Sequence, residues 1–245
     1  MVTDSKIDQA KTSHLIAPLQ EKTRVLVIDD EPDILELIVD CLSDEKFELF
    51  PVSSGDNIIS VIERFKPDVI LTDKVMPTLS GDDVIKKIRQ SALYSMTPIF
   101  VITGQTGETE KIGTFEIGAD DYLTKPFSPG ELKARVMALA RRTKRTTSPV
   151  RPIDNSPLKI DTAAHRVSVN EAEIALTLTE FKILEILQQK VTHTVSRDEL
   201  LKHALGSQFV SGRTIDVHIT ALRRKLGTYG KNIITVRGVG YRLES

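Results

Sequence analysis

The sequence contains no tryptophan and only one cysteine among its 245 residues. A single cysteine excludes an intrachain disulfide, and this composition is typical of proteins in a reducing cytoplasm. Cys41 lies within the apolar set Ile34, Leu35, Ile38 and Leu42, whose spacing is helical. We therefore expect a structural thiol on a helix and a cytoplasmic location.

No stretch of the chain approaches the roughly 18 apolar residues that a membrane-spanning helix requires. The N-terminal segment, residues 1–22, mixes acids with lysines and has no continuous apolar region, unlike a signal peptide. We expect this segment to be a flexible extension, and we expect no membrane association.

The net charge of −1 hides an uneven distribution along the chain. Residues 23–140 contain 21 acidic residues and 12 Lys or Arg, whereas residues 141–245 contain 10 acidic residues and 18 Lys or Arg. An acidic half thus precedes a basic half, which indicates two domains with different partners. Accidental surface charge is the simpler alternative at this point.

The first half alternates short apolar segments with amphipathic ones, a pattern that predicts a parallel sheet covered by helices on both faces. The strand candidates are RVLVI, FELFPV, DVILT, PIFVI and DYL, and the helical candidates lie near 31–44, 55–65, 81–91, 107–117 and 128–141. Five such units within residues 23–141 predict an α/β, doubly wound domain.

The pattern changes after residue 141. Residues 142–156 are rich in basic residues, hydroxyls and proline, which is typical of a linker. Residues 157–245 then show short β patterns, three helical segments and a closing hairpin pattern, which predict an α+β domain. Capping boxes at Thr177–Glu180 and Ser196–Glu199 predict where two of its helices begin.

Polar groups stand at the ends of four predicted strands of the first domain. Asp29 and Asp30 follow the first strand, Asp73 ends the third, Thr103 ends the fourth and Lys125 follows the fifth. Ligands bind at this edge of doubly wound sheets. Three carboxylates there repel one another unless a cation neutralises them, and hard oxygen ligands suit Mg²⁺. Together with the hydroxyl and the ammonium, they predict phosphoryl transfer to an aspartate.

Each of these residues alone has a simpler explanation. An aspartate at the end of a strand commonly caps a turn or a helix, and a lone lysine usually lies on the surface. Their joint occurrence at four strand ends, in the required order, favours a shared site.

A basic amphipathic helix is the main feature of the second half. In SGRTIDVHITALRRKLG the apolar residues Ile215, Ile219, Leu222 and Leu226 form one helical stripe, and Arg and Lys side chains occupy the other faces. Such a helix fits the DNA major groove, and a turn bearing Arg237 can reach a minor groove. A solvated basic helix is the alternative.

The motifs VIDDE, TDKVMPTLSG, VITG and GADDYLTKPFSPGEL resemble the receiver domain of two-component response regulators, which has a flavodoxin-like fold. The resemblance implies that Asp73 accepts phosphoryl groups from a sensor histidine kinase and that the backbone carbonyl of Val75 joins the aspartates around Mg²⁺. It also implies that Thr103 and Lys125 contact the phosphoryl oxygens, that Tyr122 moves inward with Thr103, and that the Lys125–Pro126 bond is cis.

The same resemblance implies a receiver dimer after phosphorylation. It implies ion pairs across a two-fold axis, between Lys111 and Glu131, Asp120 and Arg135, and Asp121 and Arg142. An ordinary solvated face is the alternative for these charges.

The motifs LTLTEFKILEIL, VSRDELL, RTIDVHITALRRKL and TVRGVGYRL resemble the winged-helix DNA-binding domain of the OmpR/PhoB subfamily. This resemblance implies promoter DNA as partner, in direct-repeat sites, with helix 213–226 as the recognition helix. The implied DNA-contacting residues are Arg213, Thr214, Val217, His218, Thr220, Ala221, Arg223, Arg224, Arg237 and Tyr241. The loop LGSQFVSG is where relatives touch RNA polymerase, but here it is shorter than usual.

Other classes of function stay open on the sequence alone. An aspartate-nucleophile phosphatase also needs carboxylates, Mg²⁺ and lysine, but such enzymes place a second acid where this chain has Val75. A module whose basic domain binds protein or membrane, and a regulator that acts without phosphorylation, are the remaining alternatives. We expect the chain not to be an enzyme beyond reactions of its own phosphoryl group.

Overall fold

The computed structural model describes residues 22–91, 93–144, 156–205 and 212–244. The expected N-terminal extension, most of the expected linker and most of the loop LGSQFVSG lie outside these residues. No helix in the described ranges is long and apolar enough to cross a membrane.

The first domain is a five-stranded parallel sheet in the order β2-β1-β3-β4-β5. Its elements are β1 (Thr23–Ile28), α1 (Pro32–Leu42), β2 (Phe47–Val52), α2 (Ile58–Phe65), β3 (Val69–Asp73), α3 (Gly81–Gln90), β4 (Ile99–Thr103), α4 (Glu108–Glu116), β5 (Asp121–Thr124) and α5 (Pro129–Lys144). The predicted doubly wound fold and its strands are confirmed.

Continuous apolar segments form the inner strands because both faces of the sheet are covered. One face packs Leu26, Ile28 and Ile70 beneath α2, α3 and α4, and the other packs residues such as Val27 and Leu71 beneath α1 and α5. β2 is an edge strand and accommodates a proline. The sheet order reverses between β1 and β3, so their carboxyl ends open a crevice between them.

The second domain places a helical core between two small antiparallel sheets. Its elements are β6 (Leu158–Asp161), β7 (Arg166–Val169), β8 (Ala172–Glu173), α6 (Leu178–Gln189), β9 (Val195–Ser196), α7 (Arg197–Leu200), α8 (Gly212–Lys225), β10 (Ile233–Val236) and β11 (Gly240–Leu243). A π-helical turn, Leu201–Leu205, continues α7, and a 3-10 turn, Gly227–Asn232, precedes β10. This is the predicted winged-helix arrangement.

Capping explains where α6 and α7 begin. Thr177 and Glu180 form the complete capping box at the start of α6. At α7, Ser196 accepts a hydrogen bond from the backbone of Glu199, whose carboxylate contacts Lys190. The hairpin of β10 and β11 turns at Gly238, which has a φ of 72°.

The two domains pack against each other through α4 and α8. The Phe115 and His218 rings meet edge to face with their centroids 5.4 Å apart, and Glu108 forms an ion pair with Arg213. α5 continues beyond the expected end of the first domain at residue 141, because Arg142 is buried and hydrogen bonds to Thr179 of α6. The described domains therefore form one contiguous body.

Candidate functional site

Three aspartates meet at the crevice between β1 and β3. Asp29 and Asp30 directly follow β1, and Asp73 is the last residue of β3. Their ligand oxygens lie within 4.8 Å of one another. Asp29 and Asp73 are buried, and Asp30 is partly exposed. Close carboxylate oxygens at an open edge fit a hard divalent cation that keeps some of its water.

Asp73 is held from two sides. Its Oδ2 accepts a hydrogen bond of 3.1 Å from the Val75 amide, and its Oδ1 lies 3.5 Å from Lys125 Nζ. Burial and the neighbouring charge of Asp29 raise the pKa of Asp73, while Lys125 acts in the opposite direction. The carboxylate is thus partly desolvated and faces an ammonium.

Lys125 reaches back across the sheet edge from the end of β5. Its Nζ donates to Asp29 Oδ2 at 3.0 Å and lies 3.5 Å from Glu31 Oε1. Burial alone lowers the pKa of Lys125, but the hydrogen bond and charge of Asp29, with the charge of Asp73, raise it overall. The Lys125–Pro126 peptide bond is cis, as expected.

Thr103 and Tyr122 stand beside the acidic cluster. Thr103 is buried, and its Oγ1 accepts a hydrogen bond from the Gln105 amide. The Tyr122 hydroxyl donates to the Gln105 carbonyl, and its ring lies 6.5 Å from that of Phe115. Burial raises the pKa of the Tyr122 phenol. The aromatic ring thus connects the loop after β4 with α4.

The structure places the expected dimer-face residues in contacts within one chain. Arg135 Nη1 donates to Asp121 Oδ1 at 2.8 Å, and Arg135 also binds Glu131. Lys111 lies over the Tyr122 ring. The pairing of these charges across a two-fold axis stays a prediction.

Asp120 occupies a buried network that links the domains, which the sequence reasoning missed. Its Oδ2 accepts from Arg89 Nη2 at 2.6 Å and from the Ile99 amide at 3.0 Å. Its Oδ1 accepts from the hydroxyl and the amide of Thr179, at 2.7 Å and 3.2 Å. The Thr179 amide belongs to the first turn of α6, where a carboxylate is favoured. No local sequence signal pairs these residues, since Thr179 follows Asp120 by 59 positions.

The residues expected to contact DNA on α8 divide into two groups. Arg213, Thr220 and Arg224 are exposed, whereas Thr214, His218 and Ala221 are buried along one face of the helix. That face meets the first domain, where Val217 packs against the apolar residues of α4 and β5. Burial lowers the pKa of His218 to about 4.

The remaining expected DNA contacts lie on or beside the closing hairpin. Arg237 is exposed at the turn between β10 and β11. Arg223 donates to the Ile233 carbonyl and to Thr235. The Tyr241 hydroxyl donates to Asp216 Oδ1, and burial, followed by this hydrogen bond, raises the pKa of Tyr241 to about 12.

Two families match the chain along its length. Residues 25–137 match the response regulator receiver domain. Residues 171–243 match the C-terminal domain of transcriptional regulatory proteins.

Individual relatives match almost from end to end. The sensory transduction protein RegX3 of Mycobacterium tuberculosis is 35% identical over 228 residues, which cover 91% of this chain and 99% of the relative. The phosphate regulon transcriptional regulatory protein PhoB of Pseudomonas aeruginosa is 36% identical over 223 residues, covering 90% and 97%. A solved structure of a RitR mutant, 25% identical, superposes with a TM-score of 0.75 and covers 90% of this chain and 98% of that one. The chain belongs to the OmpR/PhoB-type response regulators, which are phosphorylation-dependent regulators of transcription.

Proposed function

We propose that Asp73 accepts a phosphoryl group from a phosphohistidine of a sensor histidine kinase, and that this modification controls promoter DNA binding through α8. The observation that carries the proposal is the convergence of Asp29, Asp30 and Asp73 within 4.8 Å beside Lys125. Gathering these acids is unfavourable for folding unless a bound cation neutralises them.

The ionised carboxylate of Asp73 acts as the nucleophile. One of its oxygens forms a bond to phosphorus while the bond between phosphorus and the histidine nitrogen breaks, and the electron pair returns to the imidazole. Lys125 lies near the attacked position and compensates the developing negative charge. Thr103 supplies a hydroxyl at the neighbouring strand end, where it contacts the transferred group.

Mg²⁺ is the proposed cofactor. Asp29, Asp30 and Asp73, with the Val75 carbonyl, would hold it, and it would neutralise charge between carboxylates and phosphoryl oxygens. Val75 is 58% exposed and carries no carboxylate, so this position offers no acid to activate water. This favours a regulator that is modified once over a phosphatase that turns over.

The output is proposed to be DNA binding by the recognition helix α8 and the turn at Arg237. The exposed Arg224 and Arg237 are available to phosphates and base edges, whereas Arg213 is exposed but paired with Glu108 of α4. Thr214, Val217, His218 and Ala221 reach DNA only after α8 leaves α4. We further propose that phosphorylation favours a receiver dimer on direct-repeat sites and that RNA polymerase contacts the DNA-bound dimer.

Labelling with a small phosphodonor tests the acceptor. Wild-type protein incubated with acetyl phosphate and Mg²⁺ is expected to gain one phosphoryl group in its intact mass, and EDTA is expected to prevent this. Asp73→Asn should gain none, whereas the matched surface variant Asp40→Asn should behave as wild type. Equal labelling of Asp73→Asn would show that the acceptor is a different residue.

Selection of random DNA with and without acetyl phosphate tests the output. We expect the phosphorylated chain to enrich a defined site with affinity that falls steeply with salt, because Lys and Arg displace counterions from DNA. Failure to enrich any sequence in either state would contradict a promoter-binding function.

A further inference from the structure

Lys74 directly follows the proposed phosphoacceptor, yet its side chain turns away from the acidic cluster toward α4. Its Nζ donates to Thr114 Oγ1 at 2.7 Å and to the Glu110 carbonyl at 3.3 Å. The Thr114 hydroxyl donates to the same carbonyl at 2.8 Å. The Lys74 side chain is only 13% exposed, and Asp82 Oδ1, its nearest counter-charge, lies 3.7 Å from Nζ. The ammonium is therefore anchored on α4 rather than solvated.

α4 has few features of its own that fix its position. It spans nine residues, its N-cap Gly107 provides no side-chain hydrogen bond, and Gly113 lies inside it. Helices of this length depend on tertiary contacts for stability. Its two buried residues are Thr114 and Phe115, so the contacts of these two side chains largely determine where the helix lies.

These two buried residues face different partners. Thr114 is held by Lys74 from the loop after β3, and the Phe115 ring packs edge to face on His218 of α8. Adjacent residues of a helix move together, since their Cα atoms are fixed about 3.8 Å apart. A change in how Lys74 holds Thr114 is therefore transmitted directly to the surface that covers the recognition helix.

We propose that Lys74 is a positioning residue that holds α4 over α8 while Asp73 is unphosphorylated, and releases α4 when Asp73 is phosphorylated. This inference rests on the proposed function, and it assigns the coupling between Asp73 and the α4–α8 contact to one side chain. A phosphoryl group adds negative charge and three strong acceptor oxygens one residue from Lys74. The flexible Lys74 side chain then swings back toward these oxygens and leaves Thr114 and Glu110, which weakens its hold on α4.

The alternative role for Lys74 is purely structural. In that case removal of its ammonium lowers the stability of the first domain but changes DNA affinity equally in both phosphorylation states. The two roles therefore differ in the ratio of DNA dissociation constants between the unphosphorylated and phosphorylated chain, which stability alone does not alter.

The test measures these constants for the full chain on the selected DNA site, with the labelled fraction determined for each sample. In Lys74→Met, which keeps the apolar stem, we expect DNA affinity of the unphosphorylated chain to rise about tenfold. We expect affinity of the phosphorylated chain to change less than about twofold, so that the ratio shrinks. Lys87→Met, on the exposed face of α3, is the matched control and should keep the wild-type ratio.

A second pair of variants approaches the contact from α4. Thr114→Val removes the hydroxyl and should reproduce Lys74→Met, whereas Thr114→Ser keeps it and should retain the wild-type ratio. The double variant Lys74→Met with Thr114→Val should not exceed either single variant, because both remove the same contact. This pair remains informative if Lys74→Met does not fold.

The outcomes separate this inference from the function on which it rests. Suppose that phosphorylation raises the DNA affinity of the wild type, and raises that of Lys74→Met and of Thr114→Val by the same factor. Lys74 then does not couple Asp73 to α8, and the inference is overturned. If the wild type gains no phosphoryl group and its DNA affinity does not change, the proposed function fails, and this inference fails with it.

Discussion

Arg89 illustrates how a single side chain organises the end of the first domain. It donates to the carbonyls of Gly118, Ser95 and Thr97, each at 2.8 Å, and to the buried carboxylate of Asp120 at 2.6 Å. Burial lowers the pKa of the Arg89 guanidinium, whereas Asp120 acts to raise it. The Arg89 guanidinium thus holds together the loops that precede β4 and β5.

Removal of this guanidinium leaves a buried carboxylate without its main counter-charge. We expect Arg89→Met to lower the free energy of unfolding by about 3–5 kcal/mol, the usual cost of breaking a buried ion pair. Lys86→Met, which removes an exposed ion pair with Asp83, should change it by less than about 1 kcal/mol. Urea unfolding measures the free energy of unfolding of both variants. Equal losses in the two variants would show that the buried contacts of Arg89 do not stabilise the domain more than an exposed ion pair does.

The acidic cluster beside Lys125 was predictable at the scale of single residues. Asp29, Asp30, Asp73 and Lys125 converge because the ends of parallel strands share one edge, and strand ends are visible in the sequence. The contact of Lys74 with α4 was not predictable in this way. Its partner Thr114 lies 40 positions away on a helix whose placement depends on tertiary packing.

Glycine at the start of α3 shows how an element is placed against the proposed site. A Cβ at Gly81 would lie 2.1 Å from the Asp73 carbonyl oxygen and 2.8 Å from the Lys74 Cα. The first turn of α3 therefore approaches the backbone of Asp73 more closely than any residue with a Cβ allows.

Alanine at this position forces the helix and the strand end apart. We expect Gly81→Ala to lower the free energy of unfolding by about 1–3 kcal/mol and to slow labelling of Asp73. Gly113→Ala is the matched change within α4, where a Cβ meets nothing within 4 Å. There alanine should stabilise the chain by about 0.5–1 kcal/mol. A neutral Gly81→Ala in urea unfolding would contradict the close approach.

The ends of helices were predictable where a capping motif or a strong hydrophobic periodicity marks them. They were less predictable where a residue adopts an unusual backbone conformation. α6 begins at its capping box as predicted. α2 was expected from residue 55 but begins at Ile58, because Asn57 adopts a left-handed conformation with a φ of 54°. Gly55 lies under α3, where a Cβ would meet Val84 at 2.6 Å. The hydrophobic periodicity of the sequence does not predict this contact between Gly55 and α3.

At the scale of the whole molecule, the contact between the domains was the feature least accessible to the sequence. The apolar stripe of α8 predicted correctly which face enters the core of the second domain. The adjacent face, with Thr214, His218 and Ala221, is also buried, and it meets α4 where His218 packs on Phe115. Docking of one folded domain on another depends on surface shape, which no local pattern encodes.

His218 makes this docked arrangement sensitive to pH. Its neighbours include the Phe115 ring and the charges of Asp120, Arg142, Lys225 and Arg89. Burial lowers the pKa of His218 to about 4, so the docked state requires the neutral ring. The contribution of His218 to docking is therefore complete above pH ~6.5 and is lost progressively as the pH falls toward 4.

We expect the domains to separate more readily at pH 5.5 than at pH 7.5, by about 1.4 kcal/mol from His218. Energy transfer between dyes on the two domains measures the docked fraction. His218→Leu keeps an apolar contact without a titrating group, so its docked fraction should lose this pH dependence. An equal pH response in the variant would assign the effect to other groups.

DNA affinity of the full chain before and after treatment with acetyl phosphate and Mg²⁺, measured beside Asp73→Asn, tests the central claim most directly. A phosphoryl group on Asp73 that releases α8 from α4 should tighten binding to the selected site about 5–150-fold in the wild type. Asp73→Asn should show no change under the same treatment. A wild type that does not respond, or an Asp73→Asn that responds equally, would contradict control of the recognition helix from Asp73.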